Sequence, residues 1–142
     1  MINSFRGEYY FLSNFYNAPI IYKGISYQNS EAAFQAQKCL NDNEKLMFST
    51  LSPYDAKRLG RKVALRSDWE SIKFSVMQKI VDAKFDQNPD IANKLIMTND
   101  EYLEEGNNWG DKIWGTVNGV GANNLGKILM QTRERLKEVK HG

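Results

Sequence analysis

The sequence predicts a helix-dominated α+β domain with a small N-terminal β-sheet, and three observations carry that expectation. β-Branched and aromatic residues gather in short runs within the first 28 residues. Beyond them, apolar residues recur at helical spacing, and Ser, Asn, Asp and Pro stand where helices start. Strands first and helices afterwards is an α+β order. At 142 residues the chain is expected to form a single domain, 1–142, with one core. Its hydrophobic fraction of 42% and charged fraction of 25% are those of a folded soluble protein.

The elements follow in order. The first 28 residues read as short strands, with Ile20-Ile21-Tyr22 and Ile25-Ser26-Tyr27 flanking a Lys23-Gly24 hairpin turn. Asn29 or Ser30 caps a helix running to about Leu40, which Asn41-Asp42-Asn43 ends. Ser52-Pro53-Tyr54-Asp55 combines an N-cap, a proline at the first helical position and a carboxylate three residues after the cap; Gly60 closes that helix. Ser67 or Asp68 caps a long helix to about Phe85, with Trp69, Ile72, Val76, Ile80 and Ala83 at helical spacing. Asn88-Pro89 starts another that ends near Met97. The last begins around Asn123 and buries Leu125, Ile128, Leu129, Leu136 and Val139.

Several function classes drop out early. No apolar run approaches the roughly 20 residues that span a bilayer, so no membrane partner is expected. The N-terminus MINSFRGEYYF lacks the charged and apolar regions of a secretory signal. With one cysteine, Cys39, and no export signal, the expected compartment is the cytoplasm. Nineteen basic against 17 acidic residues leave a net charge of +2, too even to predict nucleic-acid binding from the global field. A local strip, Lys57, Arg58, Arg61, Lys62 and Arg66, reads as a solvated helix face or as a phosphate-binding edge. The only histidine, His141, is the penultimate residue, and no Cys/His set has ligand spacing. A carboxylate-only magnesium site stays open but nothing demands one, so no metal or cofactor is expected, and the usual histidine-based triads are excluded.

The run from Tyr102 to Met130 holds two of the three tryptophans and six of the ten glycines among Asn and acidic residues. Such a loop suits a pocket for a flat, polar ligand better than it suits a core. Glu104, Glu105 and Asp111 offer carboxylates or caps, and Trp109 and Trp114 offer aromatic faces or core plugs. The GVGANN stretch before the last helix is a weak dinucleotide signal but compatible with phosphate at a helix N-terminus. In the first helix, Glu31, Gln35 and Lys38 form one stripe, opposite Ala32, Ala33, Ala36, Cys39 and Leu40. The stripe faces either water or a cleft. Carboxylates, aromatics and cations suffice to cut an N-glycosidic bond, whose transition state is oxocarbenium-like, without metal or histidine. They would equally suit plain nucleotide binding.

Four segments together resemble the YbiA-like NADAR family. They are Phe5-Arg6-Gly7 with Phe11-Leu12-Ser13-Asn14-Phe15; Tyr27 through Glu31 into Phe34-Gln35-Ala36 and Lys38; Ala56-Lys57-Arg58-Leu59-Gly60-Arg61 with Leu65-Arg66 and Trp69; and Leu103 to Gly115 with Gly121 to Gly126 and Leu129-Met130 to Arg133. One departure is Thr98-Asn99, where family members often carry Thr-Gly. Asn also tolerates positive φ, so the turn is expected to survive.

The resemblance implies an N-glycosidase. Relatives of this kind act on phosphoribosylated aminopyrimidine intermediates of riboflavin biosynthesis, releasing ribose 5-phosphate, and others remove ADP-ribose from guanine in nucleic acid. The implied partner is thus a small ribosyl phosphate or ADP-ribosyl substrate, or ADP-ribosylated DNA or RNA. A non-catalytic ADP-ribose or NAD-binding module is the alternative of a different class. The family's acidic helix position falls on Glu31, its helix-start tryptophan on Trp69, and its acidic loop on Glu105 and Asp111. Glu31 and Asp111, with Glu105, are the expected catalytic residues, and Trp69 and Trp109 the expected stacking partners. Asn14, Lys38, Arg61, Arg66, Asn107 and Asn124 are expected to contact phosphate, ribose or base. Asp111 and Trp109 are expected to face Glu31 and Trp69.

Overall fold

Two left-handed residues, Lys23 at φ 50° and Gly24 at φ 84°, turn the chain between β1 (Ile20–Tyr22) and β2 (Ile25–Tyr27). Positive φ at both turn residues matches the right-handed twist of an antiparallel pair. The register sets Ile20 against Tyr27 and Tyr22 against Ile25, with all four side chains buried. The computed structural model describes residues 1–141, with side chains to Val139. The chain divides into two compact units, Asn14–Asn88, and Met1–Ser13 with the chain from Pro89 onward.

The first of these units holds the hairpin and four helices, α1 (Ser30–Ala36), α2 (Asp42–Leu46), α3 (Pro53–Gly60) and α4 (Trp69–Gln87). Asn29 caps α1 by accepting from Ala32 N at 2.7 Å, and Ser52 caps α3 by accepting from Asp55 N at 3.1 Å. α1 is only two turns long, yet every residue in it is buried. It packs on α3 and α4 and touches both strands, which its alanines permit by letting neighbours approach closely. At the far end of α4, Gln87 accepts from Ile21 N (2.7 Å) and donates to Ile21 O (2.9 Å), pairing an edge of the hairpin. Asn88 donates to Lys84 O and Pro19 O, closing the helix.

The second unit holds a 3₁₀ turn (Gly7–Leu12), α5 (Pro89–Ile96), an irregular stretch and α6 (Asn124–His141). Ile2 bridges Leu103 in parallel, and Gly106 bridges Thr116. Asn99 adopts φ 57°, so the Thr98-Asn99 turn survives without glycine. Arg133 holds that turn from α6, donating to Thr98 Oγ1 and Glu101 O.

Five expectations change. The N-terminal stretch carries only two short strands, because Gly7–Leu12 winds into a 3₁₀ turn instead. α1 stops at Ala36 rather than Leu40: Lys38 N and Cys39 N bond three residues back, a tighter winding that leaves Leu40 71% exposed. Asn41 starts a helix that the sequence reading missed, accepting from Glu44 N as the cap of α2; the same residue type that stops one helix caps another. In α4 the buried face runs through Met77, Ile80, Val81, Lys84 and Phe85, with Ile72, Val76 and Ala83 only half-buried. In α6, Leu125, Ile128 and Leu129 are buried, whereas Leu136 is half-buried and Val139 exposed.

Candidate active site

Asn14 begins the arrangement. Its backbone oxygen accepts from Glu31 N at 3.1 Å, meeting a donor that α1 cannot satisfy internally. Its side chain accepts from Ser30 Oγ (3.1 Å) and donates to Met77 Sδ (3.4 Å). This residue, expected to touch ligand, fixes the start of α1 and with it the place of Glu31.

Glu31 and Gln35 lie one turn apart and are both buried, 8% and 7% exposed, so the polar stripe of α1 does not simply face water. Gln35 Nε2 donates to Glu31 Oε1 at 2.9 Å. A buried carboxylate needs such donors to stay ionised. Lys38 continues the stripe, and its ammonium donates to Gly60 O at 3.3 Å at the end of α3. Burial pulls the Lys38 pKa below the ordinary lysine value; Glu31 opposes that shift and Arg61 adds to it. Lys38 therefore feels the charges of both Glu31 and Arg61.

The remaining residues expected here divide. Arg66 donates from Nε to Asp68 Oδ1 (2.6 Å) and from Nη2 to Oδ2 (3.2 Å), and that pairing holds the Asp68 carboxyl below its ordinary range. Its backbone N–H reaches Lys38 O at 3.0 Å. In the rest of the basic strip, Arg58 lies 3.6 Å from Asp55 and Lys57 stands over the Phe15 ring, while Arg61 and Lys62 are exposed. Trp69 is 4% exposed and packs on Phe34 of α1, ring centroids 5.1 Å apart. One aromatic pair thus ties the start of α4 to the helix that carries Glu31.

The acidic loop belongs to the other unit and has its own internal logic. Asn107 is its hub: Oδ1 accepts from Asp111 N (3.0 Å) and Trp109 N (3.3 Å), and Nδ2 donates to Asp111 O (2.9 Å) and Glu105 O (3.3 Å). Asp111 Oδ1 in turn accepts from Ile113 N and Trp114 N at 3.0 and 2.9 Å. One carboxylate oxygen of Asp111 therefore shapes the turn. Trp109 is 54% exposed, the accessible face that stacking requires, whereas Trp114 is half-buried. Asn124 donates to Ile113 O at 2.7 Å. Glu105 is half-buried, and its backbone N–H donates to Asn123 Oδ1 at 3.0 Å. A cleft of about 350 Å³ opens here, lined by Asn3, Ser4, Arg6, Glu104, Asn107 and Thr116 among others.

Sequence reasoning passed over three residues. Gln35 was seen only as part of a stripe; its spacing of four from Glu31 was the available signal. Asn123, 2% exposed, binds the backbone at both Leu103 and Glu105. Arg6 supplies a cation to the cleft and stood in plain view within Phe5-Arg6-Gly7. Among the described residues no group of three or more His, Cys, Asp or Glu side chains is placed to hold a metal ion. The His141 side chain lies outside the described residues. No helix of the described residues is long and apolar enough to cross a membrane.

The whole chain has relatives among known proteins. The chain is 39% identical over 133 residues to the N-glycosidase YbiA of Shigella flexneri, covering 91% of this chain and 82% of that one. It is 40% identical over 134 residues to a riboflavin biosynthesis protein of Vibrio vulnificus, covering 90% of this chain but only 36% of that protein. The solution NMR structure of Escherichia coli YbiA matches with a TM-score of 0.84 and 35% identity, over 99% of this chain and 89% of that one. The helix-rich α+β architecture with its small antiparallel sheet is thus a shared fold. The profile of the NADAR domain matches residues 3–137, which takes in Asn14, the Glu31 helix, Trp69 and the whole acidic loop, and the chain belongs to the NADAR domain family.

Proposed function

We propose that this chain hydrolyses the C1′–N bond of a phosphoribosylated aminopyrimidine of the riboflavin pathway, releasing the base and ribose 5-phosphate. Relatives with about two-fifths of their aligned residues in common with it are named N-glycosidase and riboflavin biosynthesis protein. The chain is accordingly a hydrolase acting on N-glycosyl bonds. The observation that carries the assignment of residues is Glu31: a carboxylate 8% exposed, given a donor by Gln35 and set in the field of Lys38.

In this reading the C1′–N bond breaks with its electron pair leaving on nitrogen, and positive charge develops at C1′. The Glu31 carboxylate stabilises that charge and takes a proton from the water that forms the new C1′–O bond. Asp111 or Glu105 supplies the proton that the departing nitrogen needs. Lys38, Arg61 and Arg66 are assigned to phosphate, for which guanidinium and ammonium donors are suited. Trp109, whose ring is accessible, is assigned to the base, and Asn107 and Asn124 to polar contacts with ribose or base, while the buried Trp69 and Asn14 hold the helix that carries Glu31.

The test is release of ribose 5-phosphate from the aminopyrimidine ribose phosphate by the purified protein. Glu31→Gln is expected to lower kcat by roughly 100-fold or more while leaving thermal unfolding unchanged. Release no faster than that of the Glu31→Gln protein defeats the reading. ADP-ribosylated guanine oligonucleotide and free ADP-ribose serve as parallel substrate and ligand. Turnover of the oligonucleotide alone would redirect the assignment to nucleic acid, and tight ADP-ribose binding without any turnover would redirect it to a sensor.

A further inference from the structure

Gly60, the last residue of α3, is a glycine in ordinary helical backbone, so conformational freedom does not explain it. Close approach does. A Cβ at this position would stand 2.0 Å from Gln35 Oε1, 2.8 Å from Gln35 Cδ and 3.2 Å from Gln35 Cβ. The α-hydrogen that replaces it points at the amide oxygen of Gln35. That oxygen is buried and has no conventional hydrogen-bond partner among the described residues. The amide's other end is defined chemically. Only Nε2 can face the Glu31 carboxylate, since turning the amide over would oppose two oxygens and aim N–H groups at a carbon.

We propose that Gln35 is a positioning residue, which fixes and keeps ionised the Glu31 carboxylate, and that Gly60 is glycine in order to seat it. The proposal rests on the reading of Glu31 as the catalytic carboxylate. Gln35 touches Glu31, not the reacting atoms, and acts through it. Its seat is narrow. The side chain is 7% exposed and lies against α3, so a methyl group at residue 60 displaces the amide, and the bond to Glu31 is lost with it. Lys38 uses the carbonyl of the same glycine, so the end of α3 helps to place two residues that act on Glu31.

Three variants test this. Gln35→Met keeps the length of the side chain and removes the donor. Its kcat is expected to fall roughly 10- to 100-fold, the worth of a hydrogen bond to a charged group, with KM within about threefold. A donor to a carboxylate lowers its pKa, so removing it moves the acidic limb of the kcat profile upward by about one unit. A merely structural role would not move that limb. Gly60→Ala is expected to reproduce both changes, with the protein still folded at assay temperature, because alanine's helix preference offsets part of the cost of displacing the amide. In a Gln35→Ala background, where truncation vacates the seat, the same Gly60→Ala change is expected to cost less than about twofold.

Unchanged kcat and acidic limb in folded Gln35→Met protein would overturn the proposal. So would a Gly60→Ala loss that persists in full in the Gln35→Ala background. Glu31→Gln, assayed alongside, separates the two levels. If it is inactive while Gln35→Met resembles wild type, positioning alone falls. If Glu31→Gln itself is near wild type, the carboxylate reading falls and takes the positioning role with it.

Discussion

Asn123 and Asn124 are adjacent and chemically identical, yet they do different work. Asn124 donates one bond from the surface to Ile113 O. Asn123 adopts φ 53°, is buried, accepts from Glu105 N and donates to Leu103 O and Tyr102 Oη. Replacing Asn123 by alanine removes these bonds and places in left-handed backbone a residue that tolerates it less well than asparagine does. The expected destabilisation is about 2–4 kcal/mol, read as a lower urea midpoint. Asn123→Gly keeps the backbone conformation and should recover about 1 kcal/mol of that loss. Midpoints equal to wild type for both variants would remove Asn123 from the loop's support. In the sequence the family resemblance implies Asn124 as a contact to phosphate, ribose or base, whereas Asn123 marks only the start of the last helix. Residue types do not reveal which of two neighbours turns inward; φ and burial do. The tryptophans teach the same lesson, since Trp69 is buried on Phe34 while Trp109 stands open.

Among the elements, those with strong local chemistry were legible before the structure. Ser52 with Pro53 announced α3, and Lys23-Gly24 announced the hairpin. That hairpin is also improvable. Lys23 occupies φ 50°, a conformation that favours asparagine, and Asn-Gly is the preferred pair for such a turn. Lys23→Asn is therefore expected to stabilise the protein by about 0.5–1 kcal/mol, seen as a raised urea midpoint. A lowered midpoint would mean that the Lys23 contact with the Tyr22 ring outweighs the backbone preference. Other elements were not legible because their causes are tertiary. α1 reads as an amphipathic helix to Leu40 whose polar stripe faces water or a cleft, but it is two turns long and buried all round. Its small residues invite packing on every side, and no periodicity encodes that. α2 was hidden because Asn41-Asp42-Asn43 looks like a stop signal as much as a cap.

The whole molecule is nearly neutral, and its response to pH is set by where individual charges lie rather than by their sum. Lys84 of α4 is 1% exposed, with Tyr16 and Phe85 rings 5.9 and 5.2 Å from its ammonium. Burial pulls its pKa from 10.5 down to about 7. Below that value the folded and unfolded chains are both protonated at Lys84, and only the folded chain holds that cation out of water. Between about 7 and the ordinary lysine range the unfolded chain keeps a proton that the folded chain has released, so stability rises with pH across that interval. The aromatic faces favour the cation and moderate the slope. Tyr27 and Cys39, both raised chiefly by burial, act in the opposite direction at higher pH, as the unfolded chain ionises first. Comparing wild type with Lys84→Met isolates the lysine, because the other groups are common to both. Urea midpoints taken from about pH 6 to about pH 9 should show wild type gaining on Lys84→Met as pH rises, with the variant's advantage greatest at the acid end. Parallel midpoints across that range would mean that Lys84 stays protonated in the fold, with its surroundings supporting the cation as well as water does.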